Sequence, residues 1–329
     1  MKRRKFITLV GSAAAAALPL SARAQSGLRR IGALLAFDER DPMAQGWVAA
    51  LREQLTKLGW MEGQNIQIDF RWASSNVQTM QQFAEELVAL HPDVILSSST
   101  PPTRILMQHT RTIPIVFANL VDPVGSKLVE SLAKPGGNVT GFVNLEPSIA
   151  GKWLELLKEI APTIGRVAVP YNPSTAPYAE IYLNNFKSAG AALALEIVAG
   201  PVRDLTEIET FVAAQGGESK VGIVPVPDGF MNSVRGSLAN LAASYRIPAA
   251  HFNRAFVADG GLISYGNDTN DHYRRAAVYL DRILKGEKPS ELAVQFPIKF
   301  ELAINMKTAK ALGLDVPHTL LARADEVIE

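Results

Sequence analysis

The chain has 329 residues, 47% of them hydrophobic and none of them cysteine, so it can bury two cores of ordinary size and holds neither disulfides nor thiolate metal sites. Its formal net charge of +1 hides an asymmetry: residues 1–24 carry Lys2, Arg3, Arg4, Lys5 and Arg23 and no acid, and the remainder has 28 basic against 32 acidic residues. A net charge of −4 beyond residue 24 argues against a nucleic-acid partner, which requires a basic patch or stripe.

Residues 1–24 read as an address. Lys2–Lys5 are a basic start, Phe6–Leu20 an apolar core, and Ala22-Arg23-Ala24 a small-x-small cleavage site. This is an export pattern, too short for a membrane span. Arg3-Arg4 before Lys5-Phe6-Ile7 resembles a twin-arginine signal, with a general secretory peptide as the alternative. Either route delivers the protein to the periplasm, and no later apolar run is long enough to span a bilayer.

Residues 30–35 form a first apolar strand, and 43–58 an amphipathic helix with Trp47, Leu51 and Leu55 on one stripe. Residues 65–72 alternate as a strand does, and 77–90 form a helix. Between Asp93 and Gly125, two apolar runs, Val94–Leu96 and Ile113–Ala118, flank a helix at 102–110. Strand, helix, strand with short loops is a parallel βαβ unit, and open parallel sheets bind ligands beyond the carboxyl ends of their strands. Thr100 before Pro101 suits a helix start whose free N–H groups favour a carboxylate, and equally suits an ordinary cap. A short helix at 127–133 and a strand at 139–143 complete this series.

A second series follows: helix 149–160, strand 166–169, helix 178–189, strand 194–198, helix 206–214, strand 221–226, helix 231–245 and strand 247–251. Strand 262–265, helix 273–284, a strand near 300–304 and helix 307–312 come last. Two βα series of similar layout imply an α/β protein with two lobes of one kind.

Several long stretches together carry a family resemblance: IPIVFANLVDPVGSKLVESLAKPGGNVTGF (113–142), GKWLELLKEIAP (151–162), RVAVPYNPS (166–174), GGLISYGNDTNDHYRRAAVYLDRILKGEKP (260–289) and INMKTAKALGLDVPHTLLARADEVIE (304–329). The chain resembles the ABC-transporter substrate-binding family typified by tryptophan- and tyrosine-binding proteins. The resemblance implies a type 1 periplasmic-binding fold, with two Rossmann-like lobes on parallel sheets joined by three crossover strands. The crossovers are expected near 142–145, 259–261 and 295–300. One lobe then comprises 28–142 with 262–294, and the other 143–261 with 295–329. It implies capture of a small solute, an amino acid or small carboxylate with aromatic ones favoured, for a membrane permease. It implies no catalysis and no cofactor, and a monomer.

Strand-end loops supply the candidate ligand-binding residues. From the first lobe these are Phe37, Ser99, Thr100, Asn119 and Asp122; from the second, Tyr171, Asn172 and Asp228; and Tyr265 from a strand expected to return to the first lobe. Ser99 and Thr100 suit a carboxylate, Asp122 or Asp228 an ammonium, and Phe37, Tyr171 and Tyr265 an apolar or aromatic side chain. Each has a plain alternative: Asp122-Pro123 and Asn172-Pro173 are common turn formers, Asp228 before Gly229 suits a helix cap, and Phe37 and Tyr265 suit core packing. The five histidines lack metal-ligand spacing, and no nucleophile elbow or phosphate loop is found. An exported ligand sensor and a periplasmic enzyme using Asp122 and Asp228 as an acid–base pair remain the other readings.

Overall fold

Strand β1 (Arg29–Leu35) is wholly apolar and buried from Ile31 on, as befits a central strand of a parallel sheet covered on both faces. The computed structural model describes residues 28–216 and 220–329, and the expected export signal lies outside the described residues. Helix α1 (Pro42–Lys57) is capped by Asp41, whose carboxylate accepts from the Met43 N–H at 2.8 Å. There follow β2 (Ile66–Trp72), α2 (Val77–Ala89), β3 (Val94–Ser97), α3 (Thr100–His109), β4 (Ile115–Leu120) and β5 (Val139–Val143). All five strands are parallel, in the order β2-β1-β3-β4-β5. Only β2, at the edge, keeps the half-buried pattern. At Gly141 an added Cβ would fall 2.0 Å from the Phe117 carbonyl oxygen, so this strand pair closes only around glycine.

The second core holds α4 (Ala150–Ile160), β6 (Arg166–Tyr171), α5 (Ala179–Ala192), β7 (Glu196–Pro201), α6 (Leu205–Gln215), β8 (Val221–Ile223), α7 (Gly229–Ser233), α8 (Arg235–Ser244), β9 (Ala250–His251), α9 (Arg254–Ala258) and β10 (Ile263–Asn267). Helix α10 (Thr269–Leu284) returns to the first core. Strand β11 (Phe300–Asn305), α11 (Met306–Ala311), α12 (His318–Leu321) and β12 (Glu326–Ile328) end in the second. Strands β7-β6-β8 form one ladder and β12-β11-β10-β9 another, linked by a bridge between Ile223 and Ala249. Strand β11 runs antiparallel to β10 because it arrives from the other lobe.

Three expectations need correction. The segment 127–133 is a string of turns: Lys127 takes φ 56°, and the N–H groups of Leu128 and Val129 both return to the Pro123 carbonyl. The helix expected at 231–245 is two helices, α7 and α8, broken at Val234. Strand 262–265 does not return to the first lobe. It is the front of β10, paired with β9 and β11, and the chain crosses only after Asn267. The crossing segments bond to one another, with the Val143 N–H on the Gln295 carbonyl at 2.8 Å and the Asp268 N–H on the Lys299 carbonyl at 3.1 Å.

Candidate functional site

The strand order 2-1-3-4-5 reverses between β1 and β3, and a crevice forms at the carboxyl ends of strands at such a switch point. Beyond β1 the chain reaches Phe37, and beyond β3, Ser98 and Ser99; Asn119 sits near the carboxyl end of β4. The second lobe repeats the arrangement, and its β8 loop ends at Asp228. The two sets of strand ends meet at a cavity. The first lobe contributes Phe37, Trp47, Ser98, Ser99 and Asn119; the second Tyr178, Asp228, Gly229, Asn232, Phe252 and Asn253, with Asn144 just past the first crossing. Asn267 and Thr269, where the chain crosses, complete the lining.

The lobes are pressed together here. Built on Gly229 of the second lobe, a Cβ would lie 3.2 Å from the Ser75 hydroxyl of the first. Arg235, opening α8, reaches the Asp41 carboxylate at the start of α1 at 2.6 Å, and its guanidinium also lies 2.7 Å from Asp259. The Arg235–Asp41 pair is nearly buried and links the lobes across the rim. The free volume left inside is about 30 Å³, room for water rather than for a larger solute. A groove of about 510 Å³ adjoins it and shares Trp47, Asn253, Asn267 and Thr269.

One wall is aromatic. Phe37 meets Trp47 edge-on with centroids 4.7 Å apart, and Trp47 stacks on Tyr273 of α10 at 5.2 Å. Helix α1 thus presents its indole to the cavity with its position fixed from behind. On the opposite side Tyr178 anchors its hydroxyl on the Pro227 carbonyl at 2.8 Å.

Asp228 is the charged group of the site. It caps α7, its Oδ1 accepting from the Met231 N–H at 2.8 Å and the Thr175 hydroxyl at 3.1 Å. Its Oδ2 is buried with no partner. Burial pushes its pKa up to about 6, against the opposing pull of the Met231 N–H, the Thr175 hydroxyl and the backbone N–H groups of Asn172 and Phe230. A cation supplied at Oδ2 would restore the ordinary carboxylate range.

Ser99 precedes α3 with φ 148° and ψ 178°, a region that only glycine visits freely. Its side chain makes no cap bond, and Pro101 and Pro102 carry no N–H, so Thr100 alone of the first three helix residues has a backbone donor there.

Of the nine candidates from sequence, the cavity lining includes Phe37, Ser99, Asn119 and Asp228. Thr100 lies behind it, fully buried, its hydroxyl accepting from the Val121 N–H at 3.1 Å. Asp122 is a turn residue outside the lining, its Oδ1 accepting from the Gly125 N–H at 2.9 Å. Asn172 is likewise turned inward on its own loop, donating to the Arg203 carbonyl and accepting from the Ser174 N–H. Tyr171 packs half-buried against the second core. Tyr265 stops two residues short of the β10 carboxyl end and stacks on Phe300 at 5.6 Å. Sequence reasoning missed Asn253, which follows β9, and Asn267, which ends β10; both fit the carboxyl-end rule. It missed Trp47, Tyr178 and Asn232 because they sit on or beside helices.

Among the described residues no helix is long and apolar enough to cross a membrane, and no cluster of side chains fits a metal ion. The profile of the ABC transporter substrate binding protein family matches residues 31–328. A tyrosine-binding protein of Clostridioides difficile is 28% identical over 287 residues, 86% of this chain and 80% of its own length. The ABC domain of Streptococcus pneumonia solved with L-Trp shares 26% identity at a TM-score of 0.85, covering 92% of this chain and 100% of that one. The ligand-free, open structure of a substrate binding protein with adhesive properties from Clostridium difficile shares 25% identity at a TM-score of 0.67, covering 91% and 99%. The architecture common to these proteins is the type 1 periplasmic-binding fold. With that fold, and with the family profile spanning both lobes, the chain belongs to the ABC transporter substrate binding protein family, whose members bind solutes rather than transform them.

Proposed function

We propose that this protein captures an aromatic α-amino acid between its lobes, as an exported monomer serving the permease of an ABC importer. The observation that carries the reading is Asp228, a buried carboxylate with one oxygen unpartnered in a cavity walled by aromatic rings. An α-ammonium at that oxygen would form a charge-assisted hydrogen bond away from water. The carboxylate would lie on the first lobe, against Ser98 and Ser99. The side chain would lie among Phe37, Trp47, Tyr178 and Phe252. The relatives described as binding tyrosine and L-Trp support this choice. Export rests on the pattern of residues 1–24.

The lobes are taken as 28–142 with 268–294, and 143–267 with 295–329. We read their arrangement as closed. It resembles the L-Trp complex more than the open, ligand-free relative, at nearly equal identity. A cavity of about 30 Å³ admits an amino acid only if the lobes part, through a hinge at the three crossing segments. The test is calorimetric titration of the purified protein with the twenty amino acids, a sugar and an organic acid panel, with recovery of the bound compound by mass spectrometry. Selective binding of L-tryptophan, L-tyrosine or L-phenylalanine, recovered unchanged, is the expected result. Binding confined to sugars, or recovery of an altered compound, would reject the proposal.

A further inference from the structure

Behind the floor of the cavity three side chains form a closed group. His272, in the first turn of α10, is 1% exposed. Its Nδ1 lies 2.7 Å from Oδ1 of Asn119, near the carboxyl end of β4. The amide nitrogen of Asn267, last residue of β10, lies 3.1 and 3.3 Å from the two ring nitrogens. Burial, with the nearby Arg275 charge, lowers the pKa of His272 to about 3, so the ring is neutral and offers one donor and one acceptor.

The placement of the two amides and the tautomer go together. An amide oxygen only accepts, so Nδ1 carries the proton toward Asn119. Nε2 then holds the lone pair, 3.3 Å from the Asn267 amide nitrogen, which lies 3.1 Å from Nδ1. Each asparagine has one end of its amide held by the ring, which settles the other end too. Asn119 keeps its NH₂ and Asn267 its carbonyl oxygen for other partners. Neither has one among the described residues, and both residues line the cavity. The arrangement is kept at some cost, since Asn119 takes φ 62°, a left-handed conformation that asparagine tolerates better than most residues.

We infer that His272 is a positioning residue that fixes the polarity of the cavity floor, a donor from Asn119 on the first lobe and an acceptor from Asn267 on the second. The inference rests on the amino-acid reading above and deepens it. A polyol would not need this fixed polarity, because each hydroxyl both donates and accepts. A zwitterion does need it: its carboxylate only accepts and its ammonium only donates. The donor stands on the lobe that carries Ser98 and Ser99, and the acceptor on the lobe that carries Asp228. With both amides reversed, oxygen would face carboxylate and NH₂ would face ammonium.

The test uses L-tryptophan and indole-3-lactate, which keeps the carboxylate and replaces the ammonium by a hydroxyl, titrated into wild type, His272→Gln and His272→Leu. Glutamine can donate to one asparagine and accept from the other; leucine can do neither. His272→Gln should keep the wild-type preference for tryptophan within about threefold, while His272→Leu should lose it by about tenfold or more, the scale of one oriented hydrogen bond to a charged group. Equal preference in wild type and His272→Leu, or equal losses in Gln and Leu, overturns the inference. A ¹⁵N NMR spectrum of wild type decides it without any variant: a protonated Nδ1 with a bare Nε2 supports it, and a protonated Nε2 overturns it. Failure of the wild type to bind tryptophan at all would instead reject the amino-acid reading, leaving the tautomer to report on the histidine by itself.

Discussion

Asp228 links charge to ligand. Its folded pKa is raised to about 6, above the ordinary 3.8, so its contribution to stability is complete below pH 3.8 and is lost as pH rises through 6. At pH 7.5 the ionised side chain therefore works against the empty, closed site. Asp228→Asn keeps a good helix cap and should raise the melting temperature of ligand-free protein at that pH, while weakening tryptophan binding at least about tenfold. A variant that melts lower and binds as wild type would contradict the role. In wild type, affinity for an amine-bearing ligand should fall by up to about tenfold per pH unit below pH 6. A second expectation concerns Ser99, held at φ 148°. Ser99→Gly should stabilise by about 1 kcal/mol or more, roughly 2–4 °C in a melting curve, while weakening the ligand through the lost hydroxyl. The same two residues mark how far a side chain's role is legible from sequence. A polar residue following an apolar run can be recognised as a strand end, which located Ser99, Asn119 and Asp228. That signal does not separate a side chain facing a cleft from one bonded to its own turn. Asp122 and Asn172 therefore looked alike to Asp228 until their hydrogen bonds to Gly125 and Ser174 were seen.

The elements that matter most to closure are short. Helix α8 begins with Arg235, which spans the rim to Asp41, the cap of α1. Arg235→Gln should leave each lobe folded but shift the population toward the open form. The expected readouts are a several-fold weaker ligand affinity and a larger radius of gyration in small-angle scattering without ligand; unchanged values in both would remove the pair from the closing surface. At the first position of α7, Gly229 faces Ser75 across the lobes, where an added Cβ would come within 3.2 Å of its hydroxyl. Gly229→Leu should wedge the lobes apart and cost more affinity than Arg235→Gln, with little change in melting temperature. The elements themselves were largely readable, because buried parallel strands are unbroken apolar runs and their helices carry apolar stripes. What periodicity does not contain is the partner of a strand. The run Leu262–Tyr265 is equally apolar whichever sheet it joins, and only its ladders to β9 and β11 assign it to the second. Nor does apolar content distinguish 127–133 from a helix; a left-handed Lys127 does.

Across the whole molecule, acid acts through two buried imidazoles. His251, stacked on Phe256 at 4.5 Å, and His272 are both pushed by burial to about 3, below the ordinary 6.5. A depressed folded pKa gives stability that is present above pH 6.5 and is lost as pH falls toward 3. The slope is about 1.4 kcal/mol per pH unit for each histidine, with Asp228 opposing it between pH 6 and 3.8. Urea titrations at pH 7 and pH 5 should show a clear loss at pH 5, and, with Asp228 offsetting part of the two histidines, His251→Leu should remove about three quarters of it. Equal pH sensitivity in the variant would mean that other groups drive acid unfolding. The path of α10 has a different consequence. This helix packs on α1 and supplies Tyr273, Ala277 and Leu280 to the first core, yet it is reached only after the chain has passed through the second lobe. During synthesis the first lobe must therefore wait, with one wall missing and Trp47 uncovered, until residue 284 has left the ribosome. A fragment ending at 142 is then an aggregation hazard rather than a half-protein, and the late arrival of this helix makes the two lobes a single cooperative folding unit.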